Sequence, residues 1–134
     1  MLKLKIVTPD GVKVEDNVEA VYGQTVDGSI GILPNHIPLL TPLKVGVLSY
    51  LKSGRKAPLA VMGGLMYTDG KSVTVLADAA ELSSEIDVAR AQTAKNKAEA
   101  ALNQPGNQSI EAMAKSKQAL TRAKIRLMVA GSPN

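Results

Sequence analysis

Four charged residues in the C-terminal third have types and spacing suited to holding an anion. Asp87 and Arg90 lie one turn apart at the start of one predicted helix, and Arg122 and Arg126 lie four residues apart on the next. In an antiparallel hairpin the start of the first helix lies beside the end of the second, so these side chains can converge. Guanidinium groups suit phosphate oxygens, and free N–H groups at a helix start add to an anion site. The common alternative is a surface Asp–Arg pair beside two solvated arginines.

Other chemistry is poorly represented in the sequence. The chain has no Cys and one His, which excludes disulfides, thiolate nucleophiles and multi-histidine metal sites, so we expect no metal. His36 lies in a proline-flanked loop, residues 33–38, where a structural or interface role is commoner than catalysis. There is no phosphate-binding Gly-rich loop followed by Lys and no Gly-x-Ser-x-Gly motif. We therefore expect no catalytic residues.

Two periodicities divide the chain into two domains, residues 1–84 and 85–134. The first contains short β-branched runs separated by turn signals, and Leu2, Leu4 and Ile6 alternate with lysines as in a half-buried strand. The second is rich in Ala, Lys, Gln and Arg, which favour helix, and is interrupted once at residues 104–107. The predicted fold is an antiparallel β-sandwich or barrel followed by an antiparallel two-helix hairpin.

Small residues line one face of each predicted helix. They recur at three- and four-residue intervals, with Asp87 as the predicted first cap and Asn107 or Ser109 as the second. Alanine buries little apolar surface, so we expect a compact hairpin that is weakly held and able to open. A permanently docked hairpin is the alternative. The residues on these faces are Ala91, Ala94, Ala98 and Ala101 in the first helix, and Ala112, Ser116, Ala119 and Ala123 in the second.

Positive charge is concentrated in the helical part. Residues 1–85 carry eight basic and nine acidic side chains, a net of −1, whereas residues 86–134 carry eight basic and three acidic ones, a net of +5. This asymmetry indicates an anionic partner, although a solvated helix face is an equal alternative. With three Tyr and no Trp or Phe the chain has few aromatics for stacking bases, so we expect no nucleic-acid partner.

Three segments resemble the epsilon subunits of bacterial-type rotary ATP synthases. Residues 31–40, GILPNHIPLL, resemble the most diagnostic N-terminal stretch of that family, and residues 60–64 and 73–77 resemble two of its strands. The resemblance spans essentially the whole chain and implies the same sandwich and helical hairpin. It implies a non-catalytic subunit whose sandwich docks on the gamma subunit and the c-ring. The implied docking residues are Gly31, Pro34, Asn35 and His36.

The same resemblance implies regulation by ATP. Some members bind ATP in the folded hairpin through Ile/Leu-Asp-x-x-Arg-Ala followed by two arginines, and residues 86–91, IDVARA, match that motif. The implied ATP-binding residues are Glu81, Ile86, Asp87, Arg90, Ala91, Arg122 and Arg126. The extended helices of the family inhibit ATP hydrolysis by approaching an acidic segment of the beta subunit. The basic residues implied here are Lys115, Lys117, Arg122, Lys124 and Arg126.

The resemblance also implies where the protein works. No targeting segment and no apolar run long enough to span a membrane is present, so any membrane association comes through the assembly. We expect a peripheral position on the cytoplasmic face of the cell membrane, with a thylakoid or other coupling membrane as an alternative. A purely structural role in rotor coupling, without nucleotide binding, remains the competing function.

Overall fold

The fold places eight strands before two helices. The computed structural model describes residues 1–104, 106 and 109–131. The strands are β1 Leu2–Thr8, β2 Gly11–Val18, β3 Ala20–Thr25, β4 Gly28–Ile32, β5 Leu39–Lys52, β6 Arg55–Thr68, β7 Ser72–Ala77 and β8 Ala80–Leu82. A 3₁₀ turn, Ser83–Glu85, leads into α1, Val88–Leu102, and α2, Ile110–Ala130. The predicted fold class is confirmed.

One continuous sheet curves around a single apolar core. Its strand order is β2-β1-β7-β6-β5-β3-β4, and β8 pairs with β6. Val18 of β2 and Ile32 of β4 lie at opposite ends of that order, yet both belong to the same buried cluster. Leu2, Leu4 and Ile6 are fully buried, as their alternation predicts. Most neighbouring strands are antiparallel. The exception is the parallel pair of β1 and β7, which requires a long connection, and strands β2 to β6 supply it.

The long strand β6 pairs with two different strands along its length, and the change of partner falls at Gly63 and Gly64. The register of the β5–β6 pair is constant from Leu39–Thr68 to Lys52–Arg55, and only Lys44 and Gly63 are left unpaired along it. Gly64 has a φ of 143°, and a Cβ there would lie 2.1 Å from the Leu76 carbonyl oxygen, so only glycine fits. From Gly64 onward β6 pairs with β7, whereas Leu59–Val61 pairs with β8.

The hairpin meets the sheet through the last turns of α2. Val129 is fully buried in a second apolar cluster with Ala60 of β6 and Ile86, the residue that precedes the first helix cap. Partly buried side chains complete this cluster, which we call the junction cluster: Val47, Met62, Ile125 and Ala130. Burying one valine or isoleucine side chain stabilises the folded state by about 1.5–3 kcal/mol. Because the junction cluster has few buried side chains of this size, the docked position of the hairpin is stabilised by only a few kcal/mol.

The helix seam is tight near the sandwich and loose at the far end. Ala91, Ala98 and Ala123 are buried, whereas Ala112 is exposed, contrary to the predicted seam. Ile110 and Met113 are exposed at the same end. Both predicted caps that can be assessed are present: Asp87 accepts from the Arg90 N–H and Ser109 accepts from the Ala112 N–H, each at 3.0 Å. The alternative cap, Asn107, lies outside the described residues.

Replacing Val129→Ala is expected to loosen the hairpin without unfolding the sandwich. Losing two buried carbons at a fully buried position costs about 1–3 kcal/mol, which corresponds to about tenfold to a hundredfold faster amide exchange in α1 and α2. Val88→Ala, at a helix position that is 53% exposed, is the matched control and should change little. Equal acceleration in the core strands would show that sandwich and hairpin unfold together.

Candidate functional site

The start of α1 is held beside the sheet by local hydrogen bonds. The Asp87 side chain caps the helix, and Ile86 beneath it is buried in the junction cluster. Asp87 therefore ends the extended segment, and its carboxylate points toward the first turn of α1. Arg90 lies in that same turn, so the spacing that the sequence predicted holds in the folded chain.

The end of α2 contributes the second positive charge. Arg126 Nε donates to Glu81 Oε1 of β8 at 2.6 Å, and both side chains are about two-thirds buried. A charge-assisted hydrogen bond of this kind, partly shielded from water, fixes the guanidinium of α2 against the strand. This pair is a polar link between hairpin and sandwich, next to the apolar junction cluster.

Sequence reasoning missed two residues of the site, Glu85 and Lys13. The Leu82 N–H donates to Glu85 Oε1 at 2.9 Å, and Lys13 Nζ of β2 donates to Glu85 Oε2. These two hydrogen bonds, that from Lys13 being the stronger influence, hold the pKa of the Glu85 carboxyl below its usual value and keep it ionised at neutral pH. Glu85, three residues after Leu82, is the acidic half of a capping-box pattern and carries a local signal for the first bond. Nothing in the sequence connects Lys13 with a residue 72 positions away.

These elements enclose a cavity of about 420 Å³, within the usual range for small-molecule sites. Three carboxylates and two guanidiniums line it, whereas the helix spacing alone suggested an excess of positive charge. Two small apolar side chains complete the wall. The lining residues are Glu81, Glu85, Asp87, Arg90, Ala91, Ala94 and Arg126.

The structure thus brings most of the implied ATP-binding residues together. Glu81, Asp87, Arg90, Ala91 and Arg126 line the cavity, and Ile86 supports it from the junction cluster. Arg122 lies one turn before Arg126, is half-buried, and is outside the cavity lining. Among the described residues there is no group of three or more His, Cys, Asp or Glu side chains placed to hold a metal ion.

The implied docking loop lies at a different place, on the β6–β7 turn. The Asn35 N–H donates to the Gly70 carbonyl at 2.8 Å, and His36 Nδ1 lies 2.6 Å from the Ile37 carbonyl oxygen. Pro34 and Asn35 are exposed, and so is Gly31 on β4. Ile37, beside them, is 76% exposed, so the loop presents an apolar surface together with its polar groups. Leu33 and Leu40 are exposed in the same stretch.

The basic residues of α2 differ in their availability. Lys115, Lys117 and Lys124 are exposed, whereas Arg122 is half-buried and Arg126 is paired with Glu81. In the folded hairpin the lysines therefore face solvent while Arg126 is engaged at the sheet. Neither of the described helices has the length and apolarity that crossing a membrane requires.

Comparison with known proteins finds two family matches that together cover almost the whole chain. Residues 1–83 match the beta-sandwich domain of the ATP synthase delta/epsilon chain, and residues 84–131 match its long alpha-helix domain. The chain is 45% identical over 130 residues to the ATP synthase epsilon chain of Halalkalibacterium halodurans, covering 97% of each. It is 44% identical to the epsilon chain of Herpetosiphon aurantiacus, covering 96% of this chain and 93% of the relative.

Solved structures share the fold at low sequence identity. A chain from the cryo-EM structure of the Euglena gracilis mitochondrial ATP synthase, OSCP/F1/c-ring, superposes with a TM-score of 0.81 at 23% identity. That match covers 96% of this chain and 80% of the other. A chain from the Tetrahymena thermophila mitochondrial ATP synthase central stalk and c-ring gives a TM-score of 0.60 at 11% identity, covering 96% of each. These matches concern the fold.

Proposed function

The chain belongs to the ATP synthase epsilon-chain family, and from this premise we propose that its folded hairpin is an ATP-sensitive regulator of that enzyme. The protein is a non-catalytic subunit of the central stalk. Its sandwich docks on the gamma subunit and the c-ring, with Gly31, Pro34, Asn35 and His36 at the interface. The structurally similar chains come from assemblies that contain the c-ring and the central stalk, and this supports the placement.

The cavity between β8, α1 and α2 is the observation that carries the ATP proposal. Arg90 and Arg126 offer guanidinium groups to phosphate oxygens, with the N-terminus of α1 beside them. ATP also carries hydrogen-bond donors, namely the ribose hydroxyls and the adenine amino group. The carboxylates of Glu81 and Asp87 can accept from such donors, while Ala91 leaves room for a flat base. A mixed lining of this kind suits a nucleotide better than it suits inorganic phosphate.

The energetics of the junction allow ATP to control the hairpin. A ligand that binds only the folded state stabilises that state by about 2.7 kcal/mol at a hundred times its dissociation constant. This free energy is comparable with that gained by burying one side chain such as Val129 or Ile86, the two larger buried side chains of the junction cluster. At low ATP the hairpin opens, and its lysines and arginines reach an acidic segment of the beta subunit and inhibit hydrolysis.

The alternative function is purely structural coupling of the rotor. It is favoured by the pairing of Arg126 with Glu81, because that link holds the hairpin closed without any ligand. In both functions the protein is peripheral to the coupling membrane, on its cytoplasmic face in a bacterium, and is attached through the assembly alone.

Calorimetric titration of ATP into the isolated protein tests the site. We expect saturable binding that Arg126→Ala weakens by about tenfold to a hundredfold, because a lost charge-assisted phosphate contact costs roughly 1.5–3 kcal/mol. Arg55→Ala removes the same charge from an exposed position outside the cavity lining and should bind as the parent does. Binding that is absent in the parent, or unchanged in Arg126→Ala, would remove this site from the proposal. Melting curves establish that the sandwich stays folded.

Removing residues 86–134 separates regulation from coupling. In the reassembled enzyme at low ATP, the truncated chain is expected to raise the rate of ATP hydrolysis several-fold, because the inhibitory basic helices are gone. The full-length chain, reassembled in parallel, is the reference. Equal hydrolysis rates for both chains would support the structural role.

A further inference from the structure

A second cavity adjoins the candidate ATP site, and two ion pairs separate them. This second cavity, also of about 420 Å³, lies between the β1–β2 turn, β8 and α2, and Lys13 is part of its wall. Glu81 and Arg126 line both cavities and are paired with each other. Glu85 lines only the first, and its partner Lys13 lines only the second. Lys13 is therefore outside the candidate ATP site, but it is paired with Glu85, a residue of that site's wall.

Among the carboxylates that line the first cavity, Glu85 is the one expected to repel an anionic ligand. Glu81 is neutralised by Arg126, and Asp87 is engaged with the N-terminus of α1. Glu85 has no arginine of the cavity as a partner; besides the Leu82 N–H, its counter-charge is Lys13. A triphosphate that enters this cavity meets the negative charge of Glu85, which is part of the cavity wall. Repulsion between this carboxylate and the phosphate oxygens acts against binding, most strongly at low salt.

We propose that Lys13 is a positioning residue of the ATP site, which acts by neutralising Glu85 and so makes the cavity acceptable to the triphosphate. This inference rests on the proposed function. It extends the site from the hairpin into the first β-hairpin of the sandwich, so that ATP affinity depends on β2 as well as on α1 and α2. Lys13 acts through Glu85 and needs no contact with the ligand.

A double-mutant cycle on ATP affinity tests this role. Lys13→Gln is expected to weaken ATP binding by about threefold to fivefold at low salt, the range of a partly exposed charge pair. Glu85→Gln keeps an acceptor for the Leu82 N–H and removes the charge, so it should bind ATP at least as tightly as the parent. In the Glu85→Gln background, Lys13→Gln should change the affinity by less than twofold.

Three comparisons separate charge from fold. Lys13→Arg keeps the charge and should restore affinity. Raising the salt to about 1 M should shrink the effect of Lys13→Gln, because ions screen the repulsion beyond about 3 Å. Lys71→Gln is the matched control, since Lys71 is exposed at the opposite end of β1, where the Lys3 N–H donates to its carbonyl. It should leave affinity unchanged.

The outcomes distinguish this inference from the function on which it rests. No ATP binding by the parent overturns both. Parent binding that is lost in Arg126→Ala but unchanged in Lys13→Gln overturns the role of Lys13 alone. Equal weakening by Lys13→Gln and Glu85→Gln also overturns it, because the pair would then act as a tether for the 3₁₀ turn and not as a charge balance.

Discussion

The contact between the last two turns of α2 and the β5–β6 ribbon determines how the two domains relate. Val129 and Ile86 bury their side chains against Ala60, and Arg126 reaches Glu81 beside them. Apolar burial of this size and one partly shielded ion pair stabilise the docked hairpin by only a few kcal/mol. α1 has no comparable apolar anchor on the sheet and is held mainly through its alanine seam with α2. A ligand that contacts α1, α2 and β8 at once therefore stabilises the docked hairpin where few other interactions do so.

The same contact between α2 and the sheet also determines where the charged residues of the candidate site lie. Because Ile86 is buried at the junction cluster, Asp87 must follow at the edge of the sheet, and α1 starts there. Because α2 runs antiparallel and buries Val129 in its last turn, Arg126 comes to the same edge one turn earlier. The short β8 strand presents Glu81 to both helices. Docking of the hairpin and ligand binding thus depend on adjacent residues, so a substitution that weakens one is expected to weaken the other.

Much of this arrangement could be predicted from sequence, since it depends on local periodicity. Alternation in β1, the caps at Asp87 and Ser109, and the break between the helices are signals within a few residues. The antiparallel hairpin then brings Asp87, Arg90 and Arg126 together by length alone. The parallel β1–β7 pair, the close approach of the Leu76 carbonyl to Gly64 and the Lys13–Glu85 pair depend on contacts between distant segments, for which the spacing of residues carries no information. Arg122 shares a helix face with Arg126 but lies outside the cavity lining, because it is one helical turn farther from the end of α2 that meets the sheet.

The most direct test of a nucleotide-sensitive hairpin is a distance between the two domains in the assembled enzyme. The chain has no cysteine, so spin labels attach only at introduced positions, here the exposed sites Asp27→Cys in the sandwich and Thr93→Cys in α1. At saturating ATP we expect a single short distance distribution. Without ATP a second population at longer distance should appear. An unchanged single distribution with and without ATP, in a protein shown to bind it, would contradict the claim that the ligand controls the hairpin.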